Sequence, residues 1–522
     1  MKKFKFVLLI ACALFDIALY LIFLPAINIQ SLGFWYFLLF AVAPYFIIGC
    51  VRKDLPLIRS KKWSLLSIKN SSLSLKMLVI LSIVVMLATI IGTPLLGGYQ
   101  NYRNRIKISD ASTFEQIEPF SADQVQIIDK SIATSLADRV FGEMGAEIVS
   151  QYEISDNYAS IVYDKTMYRI TPVEYAGLIK WISTAKNGTP GYIMVNVTSG
   201  DTKYVRADKG LRYMPHACFF NNLAIHLRIS YPTYIFGNSK FEIDDNGKPY
   251  WVSQVISYSF IGKAKDIKGV VLTDPVTGDN QYYSVNEVPS WVDNVYDAVT
   301  VSKQYNDYGN LINGLFNFSQ KGITAVTDDY AYLQKDGHLW MYTGVTSVGN
   351  DESNVGFIYV DLQDKEVIYI VSAGAEEYSA RSSAEGEVQE KGYHAVFPTI
   401  VNVANKPTYF MGLKDDAGLV KAYAFVDYKN YSKVAVGSTI NEAYKKFTNE
   451  EEEIIDIDEM KEIVVSDIAS AVVNGNSVYY IKTNQNEYYE VSIDVSNKLP
   501  FVKPNDILKV GIHGKKIISI EE

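Results

Sequence analysis

The stretch RYMPHACFFNN at residues 212–222 sets His216 two residues from Cys218. A His-x-Cys pair on one element can bind a metal or activate a thiol. A metal needs further ligands, and the neighbouring sequence offers none. The pair is therefore read as a helix-start histidine beside a buried cysteine. Asp244-Asp245-Asn246-Gly247 opens like a calcium loop, but such a loop needs more oxygen ligands and a closing glutamate. Lys248-Pro249-Tyr250-Trp251 follows instead, so the segment reads as a tight hairpin turn. Glu376, Glu377, Glu385 and Glu387 bring carboxylates together on a predicted helix. Paired carboxylates can do acid–base work, but on a helix they are read as its solvated face. Aromatic residues at Tyr250-Trp251, Tyr282-Tyr283 and Trp340 with Tyr342 can line a groove for a peptide or glycan, although strand alternation turns half of them inward. The sequence has no nucleophile elbow, HExxH helix, phosphate-binding loop or paired-cysteine metal motif. No catalytic set, metal or cofactor is expected, and a binding role is favoured over an enzymatic one. The candidate functional residues are Asp16, His216, Cys218, Tyr250, Trp251 and Trp340.

Asp16 belongs to a membrane argument. Residues 6–29, 32–51 and 77–97 are apolar stretches, each about long enough to cross a bilayer. Three transmembrane helices are expected, with residues 6–97 in contact with lipid. The first stretch is too long for a signal core, lacks a small-residue cleavage site and is followed by a second apolar stretch. An acid inside such a helix costs about 2.5–3.5 kcal/mol on insertion scales, so Asp16 needs a packing or hydrogen-bond partner. Lys2, Lys3 and Lys5 precede the first stretch. Arg52, Lys53, Arg59, Lys61, Lys62, Lys69 and Lys76 stand against Asp54 before the third. Arg103, Arg105 and Lys107 count the other way, but ten basic residues outweigh three, so the N-terminus and the 52–76 loop are expected in the cytoplasm and the C-terminal region outside.

The net charge of −9 divides unevenly, with +8 in residues 1–76 and −17 in the remainder. A region so acidic excludes nucleic acid as a natural partner. Cys12 and Cys50 lie in apolar stretches, which leaves Cys218 without a disulfide partner outside. This cysteine usage suits a bacterial cell-envelope protein stabilised by its core.

Beyond residue 98 the chain reads as α+β. A leading helix is expected within 121–144, starting near Ser121. A second is expected at 172–185, with Thr171 as cap and Pro172 at its first position. GYIMVNVTSGDTKYV at 191–205 returns in rhythm as GFIYVDLQDKEVIYI at 356–370, with Gly191/Gly356, Ile193/Ile358, Val195/Val360 and Tyr204/Tyr369 matching. Pro232 then matches Pro398, Pro249 matches Pro407, and Asp274 matches Asp427. The expectation is a duplicated antiparallel-sheet-plus-helix unit, at 191–285 and 356–447. Residues 99–190 would precede the copies, and 286–355, with a helix at 290–302, would join them. Residues 448–462 form an acidic linker. Short strands over 463–522 suggest a small β-barrel similar to an OB-fold.

GYIMVNVTSGDTKYV and VVLTDPVTGDNQYYSV also resemble the closing hairpin of PepSY-type domains. SQYEI, TPGYIMV, MPHACFF, DDNGKPYWV, VPSWVD and GYHAVFPT resemble an uncharacterised family of bacterial multi-pass membrane proteins. The resemblance implies an envelope location and no particular activity. The expectation for function is a membrane-anchored, extracytoplasmic binding or scaffold module whose partner is an envelope protein or a glycan. A wall or peptide hydrolase, or an accessory subunit of a sensor or transporter, is the alternative.

Overall fold

The computed structural model describes residues 2–49, 72–108, 114, 117–122, 125–348, 353–449, 459–473, 476–496 and 498–521. The loop at 52–71 and most of the acidic linker lie outside these residues. The apolar stretches form helices α1 (Lys2–Phe23), α2 (Leu32–Gly49) and α3 (Leu73–Ile91). Among the described residues, α3 alone is long and apolar enough to cross a membrane, which corrects the expected three spans to one clear span. The apolar part of α1 is limited to Val7–Phe23 and that of α2 to Leu32–Ile47. At 1.5 Å per residue each covers about 25 Å, short of the roughly 30 Å hydrocarbon core. Lysines occupy the first turn of α1, and Pro44 lies inside α2.

Four open antiparallel sheets follow in chain order. The first holds β1 (Tyr152–Ile154), β2 (Ala159–Tyr163), β3 (Thr166–Tyr175), β4 (Thr189–Asn196) and β5 (Thr202–Leu211). The second holds β6 (Ile235–Ile243), β7 (Pro249–Phe260), β8 (Lys263–Thr273) and β9 (Asn280–Ser284). The third holds β10 (Thr324–Val326), β11 (Ala331–Lys335), β12 (His338–Ser347), β13 (Asn354–Asp361) and β14 (Val367–Gly374). The fourth holds β15 (His394–Ala395), β16 (Thr399–Val403), β17 (Lys406–Lys414), β18 (Val420–Asp427) and β19 (Val434–Gly437).

One plan recurs in all four. A first strand pairs with the second, and three strands then meander outward. In the first, third and fourth sheets that first strand is broken into two pieces, both paired with the same neighbour. In the second it is continuous, but its register slips between Phe236 and Ser239. Helices α4 (Lys130–Gly142) and α5 (Leu178–Thr184) accompany the first sheet. α6 (Leu223–Ser230), α7 (Ala298–Leu311) and α8 (Glu377–Glu387) connect successive sheets, and α9 (Ile440–Thr448) follows the fourth. Met167 and Ile193, Val252 and Val270, Met341 and Phe357, and Tyr409 and Ala424 bring all four sheets into one buried cluster. The four meanders thus follow one another along the chain and share one core.

The recurring unit is thus one sheet, four times, where two larger copies were expected. Each expected copy begins on the last hairpin of one sheet and runs through the next. The matched hairpins do occupy the same place. Gly191 and Gly356 both sit where the register of the penultimate strand shifts. Ile193, Val195, Ile358 and Val360 are all fully buried. The turn after each penultimate strand is also shared. Asn196, Asp274, Asp361 and Asp427 each accept backbone N–H groups two or three residues on through Oδ1. An Asx turn of this kind closes locally, so it recurs wherever the hairpin does.

Three predicted helices are shifted. Residues 172–175 are strand, with Pro172 opposite Tyr192. Ile170, Val173 and Tyr175 are buried there, and burial overrides the local capping signal. Thr171 donates to the Ser155 carbonyl at 2.6 Å instead of capping a helix. The leading helix starts at Lys130 under an Asp129 cap, while Val125 bridges to Leu333. The connecting helix starts at Ala298, capped by Asp297.

The C-terminal strands β20 (Glu459–Val473), β21 (Asn476–Thr483), β22 (Tyr488–Ser492), β23 (Ile507–His513) and β24 (Lys516–Glu521) close a barrel in the order β20-β21-β22-β24-β23. The barrel has its own core, including Val465, Ile481, Val491 and Val510.

Candidate functional site

The breaks in the first strands open toward one another. Tyr158, Ala159 and Ser160 at the start of β2, Lys240 on β6, Tyr330, Ala331 and Tyr332 around the start of β11, and Ala395, Val396 and Phe397 after β15 line a single cavity of about 470 Å³. All four sheets contribute through the same part of their plan. Local chemistry explains several breaks. Asn157 turns back onto the Ser155 hydroxyl at 3.2 Å. The Tyr330 N–H bonds the Asp329 carboxylate at 2.9 Å. Pro398 has no N–H to continue a ladder.

The cavity is basic within an acidic protein. Lys130, Arg169, Lys240, Arg381 and Lys414 line it, against Asp129 and Asp329. Lys414 pairs with Asp129 at 2.5 Å, and Arg381 pairs with Glu385 at 3.2 Å. Lys130 donates to the Asp156 carbonyl at 3.0 Å. Arg169 is different. It stands on β3 between Ser160 and Val195, is 9% exposed, and its Nε has no hydrogen-bond partner. Ser160 Oγ and Gln126 Oε1, also on this wall, are buried without partners. Burial holds the Arg169 and Lys240 pKa values below their ordinary range, with neighbouring Lys130 adding to the effect on Lys240. The arrangement can receive negative charge and hydrogen-bonding groups.

A buried carboxylate pair supports the wall. Glu242 Oε2 accepts the Asp293 N–H at 2.9 Å, and Oε1 accepts the Asn294 N–H at 3.1 Å. Asp293 Oδ2 accepts the Val162 N–H at 2.6 Å, and Asn294 donates to the Ser160 carbonyl at 2.9 Å. Residues 293–294 are thereby strapped between the first and second sheets. Burial pushes the Glu242 carboxyl up to about 7 and also raises Asp293.

None of the six sequence candidates lines this cavity. Asp16 accepts a hydrogen bond from the Tyr45 hydroxyl at 2.9 Å, joining α1 to α2. His216 lies in a loop, not at a helix start. Its N–H donates to buried Glu174 at 2.9 Å, and its exposed ring places Nδ1 3.2 Å from the same carboxylate. Cys218 is a free, partly exposed thiol and not a buried one. The described residues contain no group of three or more His, Cys, Asp or Glu placed to hold a metal. Trp251 is fully buried, with Nε1 donating to the Tyr213 carbonyl at 3.0 Å. Tyr250 packs between Lys248 and Trp291. Trp340 is buried, with the Lys335 ammonium 5.1 Å from its ring. These aromatics hold strands together and do not line the cavity. The Asp244 segment is a hairpin turn, its Oδ1 accepting the Asn246 and Lys248 N–H groups at 2.9 Å. Glu377 is fully buried, which corrects the solvated-face reading for that residue.

The cavity residues left little trace in the sequence. Arg169 is a lone cation in the buried strand TMYRITPVEY, and Lys240 is a lone cation in IFGNSKFEI. An isolated basic residue on an inner strand is the available signal, but it becomes informative only once the sheet order is known.

No protein-family model matches the chain, and no curated protein matches it. Among solved structures, a mutant levansucrase of B. megaterium is 10% identical with a TM-score of 0.18, covering 78% of this chain and 97% of that one. An ACO/RPE65 chimera is 11% identical with a TM-score of 0.13, covering 53% of this chain and 46% of that one. Likenesses this slight carry no argument about fold or activity.

Proposed function

We propose that the chain is a membrane-anchored binding module of the cell envelope, with the sheets outside the cytoplasm and the central cavity as its ligand seat. The observation that carries this reading is the convergence of the three first-strand breaks and the β6 register slip on one cavity of about 470 Å³. That volume lies in the range of small-molecule sites. Buried polar atoms without partners on its wall favour an occupant that supplies them. The clear span at α3 supports anchoring. The barrel's order, with its third strand in parallel contact with its fifth, supports an OB-like reading. This second body suits contact with an envelope protein or glycan. Native mass spectrometry of the full chain purified from membranes tests the proposal. A non-covalent adduct carried by the unsubstituted protein and lost from folded Ser160→Phe supports it. No adduct, or the same adduct in both, removes the cavity as the seat.

A further inference from the structure

We infer that the cavity takes an organic anion whose carboxylate or phosphate group sits against the Arg169 guanidinium, with Lys240 as its second cationic contact. The inference rests on the cavity being the ligand seat. Arg169 is more than nine-tenths buried, and its Nε is unsatisfied. Among the described residues, Arg169 and Lys240 take part in no ion pair within 4.0 Å. Lys240 reaches only neutral oxygens, the Tyr158 carbonyl at 3.3 Å and Asn157 Oδ1 at 3.5 Å. The neighbouring cations Lys414 and Arg381 both have carboxylate partners and Lys130 is exposed to solvent, so Arg169 and Lys240 are the enclosed cations of this wall without one.

A buried charge without a counter-charge is unfavourable, and a bound anion removes that penalty. A planar guanidinium matches two oxygens of a carboxylate or phosphate, which explains an arginine here. Burial lowers both pKa values, and the nearby acids, Asp129 for Arg169 and Asp297 and Glu242 for Lys240, offset it only in part. The cavity is far larger than a bare oxyanion, and Tyr330, Tyr332 and Phe397 offer apolar surface to the remainder of an organic molecule.

The test uses the full chain in detergent micelles, titrated with inorganic phosphate, acetate and citrate at ionic strength held constant with sodium chloride. The unfolding midpoint is recorded at each concentration. A saturable rise with phosphate alone identifies a phosphate-bearing ligand. A rise with acetate or citrate identifies a carboxylate. Either response should require at least tenfold more anion in Arg169→Gln and in Lys240→Met, and should be unchanged in the exposed control Lys209→Gln. Without anion, Arg169→Gln should unfold at the same temperature as the unsubstituted protein or higher, because it removes an unpaired buried charge. A purely structural arginine would instead lower that temperature. If Arg169→Gln does not fold, Lys240→Met carries the comparison. No saturable response to any of the three, or an unchanged response in the folded variants, overturns the inference. In that event an adduct lost from Ser160→Phe would leave the cavity as the seat of an uncharged ligand, and absence of the adduct would remove both readings.

Discussion

Glu242 and Asp293 are fully enclosed carboxyls held close together, and their ionisation is coupled to the wall they support. The Glu242 carboxyl titrates near 7 in the folded chain against an ordinary value of 4.5. Between those values the folded state keeps a proton that the unfolded chain releases. The resulting stability is fully present below about pH 4.5 and is lost as pH rises through about 7. At 1.36 kcal/mol per pH unit its size is about 3 kcal/mol at most, because Asp293 shares the proton. The unfolding midpoint should therefore fall from pH 5 to pH 8 more in the unsubstituted chain than in Glu242→Gln. Parallel pH profiles would show that Glu242 is not the titrating group. Glu377 gives a second residue-scale prediction. It accepts the Tyr342 hydroxyl at 2.6 Å and Asn354 Nδ2 at 3.3 Å, and burial raises its pKa. Glu377→Gln should cost under about 1.5 kcal/mol, and Glu377→Ala about 3 kcal/mol, because the alanine leaves the buried Tyr342 hydroxyl without its acceptor and opens a cavity, while Asn354 Nδ2 keeps the Ala375 carbonyl and the Tyr409 hydroxyl. Chemical denaturation of the two variants checks the order. Such residues were hard to find by pattern, since a glutamate on a predicted helix ordinarily faces water. Only the third and fourth sheets enclosing α8 turn Glu377 inward.

At the scale of elements, the recurring glycine of the penultimate strand marks a close approach of backbone. A Cβ on Gly191 would collide with the Val205 carbonyl oxygen, on Gly269 with that of Tyr283, and on Gly356 with that of Ile370. Side chains are excluded at this one position in three sheets. Gly356→Ala should therefore destabilise the chain by about 2–4 kcal/mol. Gly386→Ala, in α8 with open space around it, should be neutral or stabilise by up to about 1 kcal/mol. Equal midpoints for the two variants would defeat the steric account. These glycines and the Asx turns behind them were the legible part of the fold, because both act over a few residues and leave a fixed spacing. The phase of the repeat was not legible, since hairpin, helix and sheet follow one another in the same order wherever counting begins. The same limit applies to 172–175. Thr171-Pro172 and Glu174 satisfy a helix-start pattern, and only pairing with Tyr192 and burial of Val173 and Tyr175 reveal a strand.

For the whole molecule, the membrane segment and the sheets are joined on one side. The Ile27 N–H bonds the Pro232 carbonyl at 2.8 Å, and Asn28 Nδ2 bonds that of Thr233 at 3.0 Å. Gly262 N–H bonds the Gln30 carbonyl at 2.9 Å, and Arg228 Nε reaches that of Leu24 at 2.9 Å. The C-terminal end of α3 meets the same hairpin, with Gly92 beside Lys263 and Gly97 beside Phe260. The α1–α2 link and the end of α3 therefore share the side of the second sheet. Lys2, Lys3 and Lys5 in the first turn of α1 and Lys76 in the first turn of α3 lie at the opposite ends, and the charge bias, ten basic residues up to residue 76 against Arg103, Arg105 and Lys107 beyond α3, predicts that this end faces the cytoplasm. A reporter inserted at residue 65 should accordingly behave as cytoplasmic, and one fused after residue 522 as external. In a cysteine-free background, Ile29→Cys should react with a membrane-impermeant thiol reagent on the same side as the C-terminal reporter, since Ile29 is exposed beside the second sheet. Reporters at 65 and after 522 on the same side would remove α3 as a span. Exchange of the two sides would overturn the charge argument while leaving the span intact. Labelling of Ile29→Cys from the side opposite the C-terminal reporter would break the packing of the link against the second sheet.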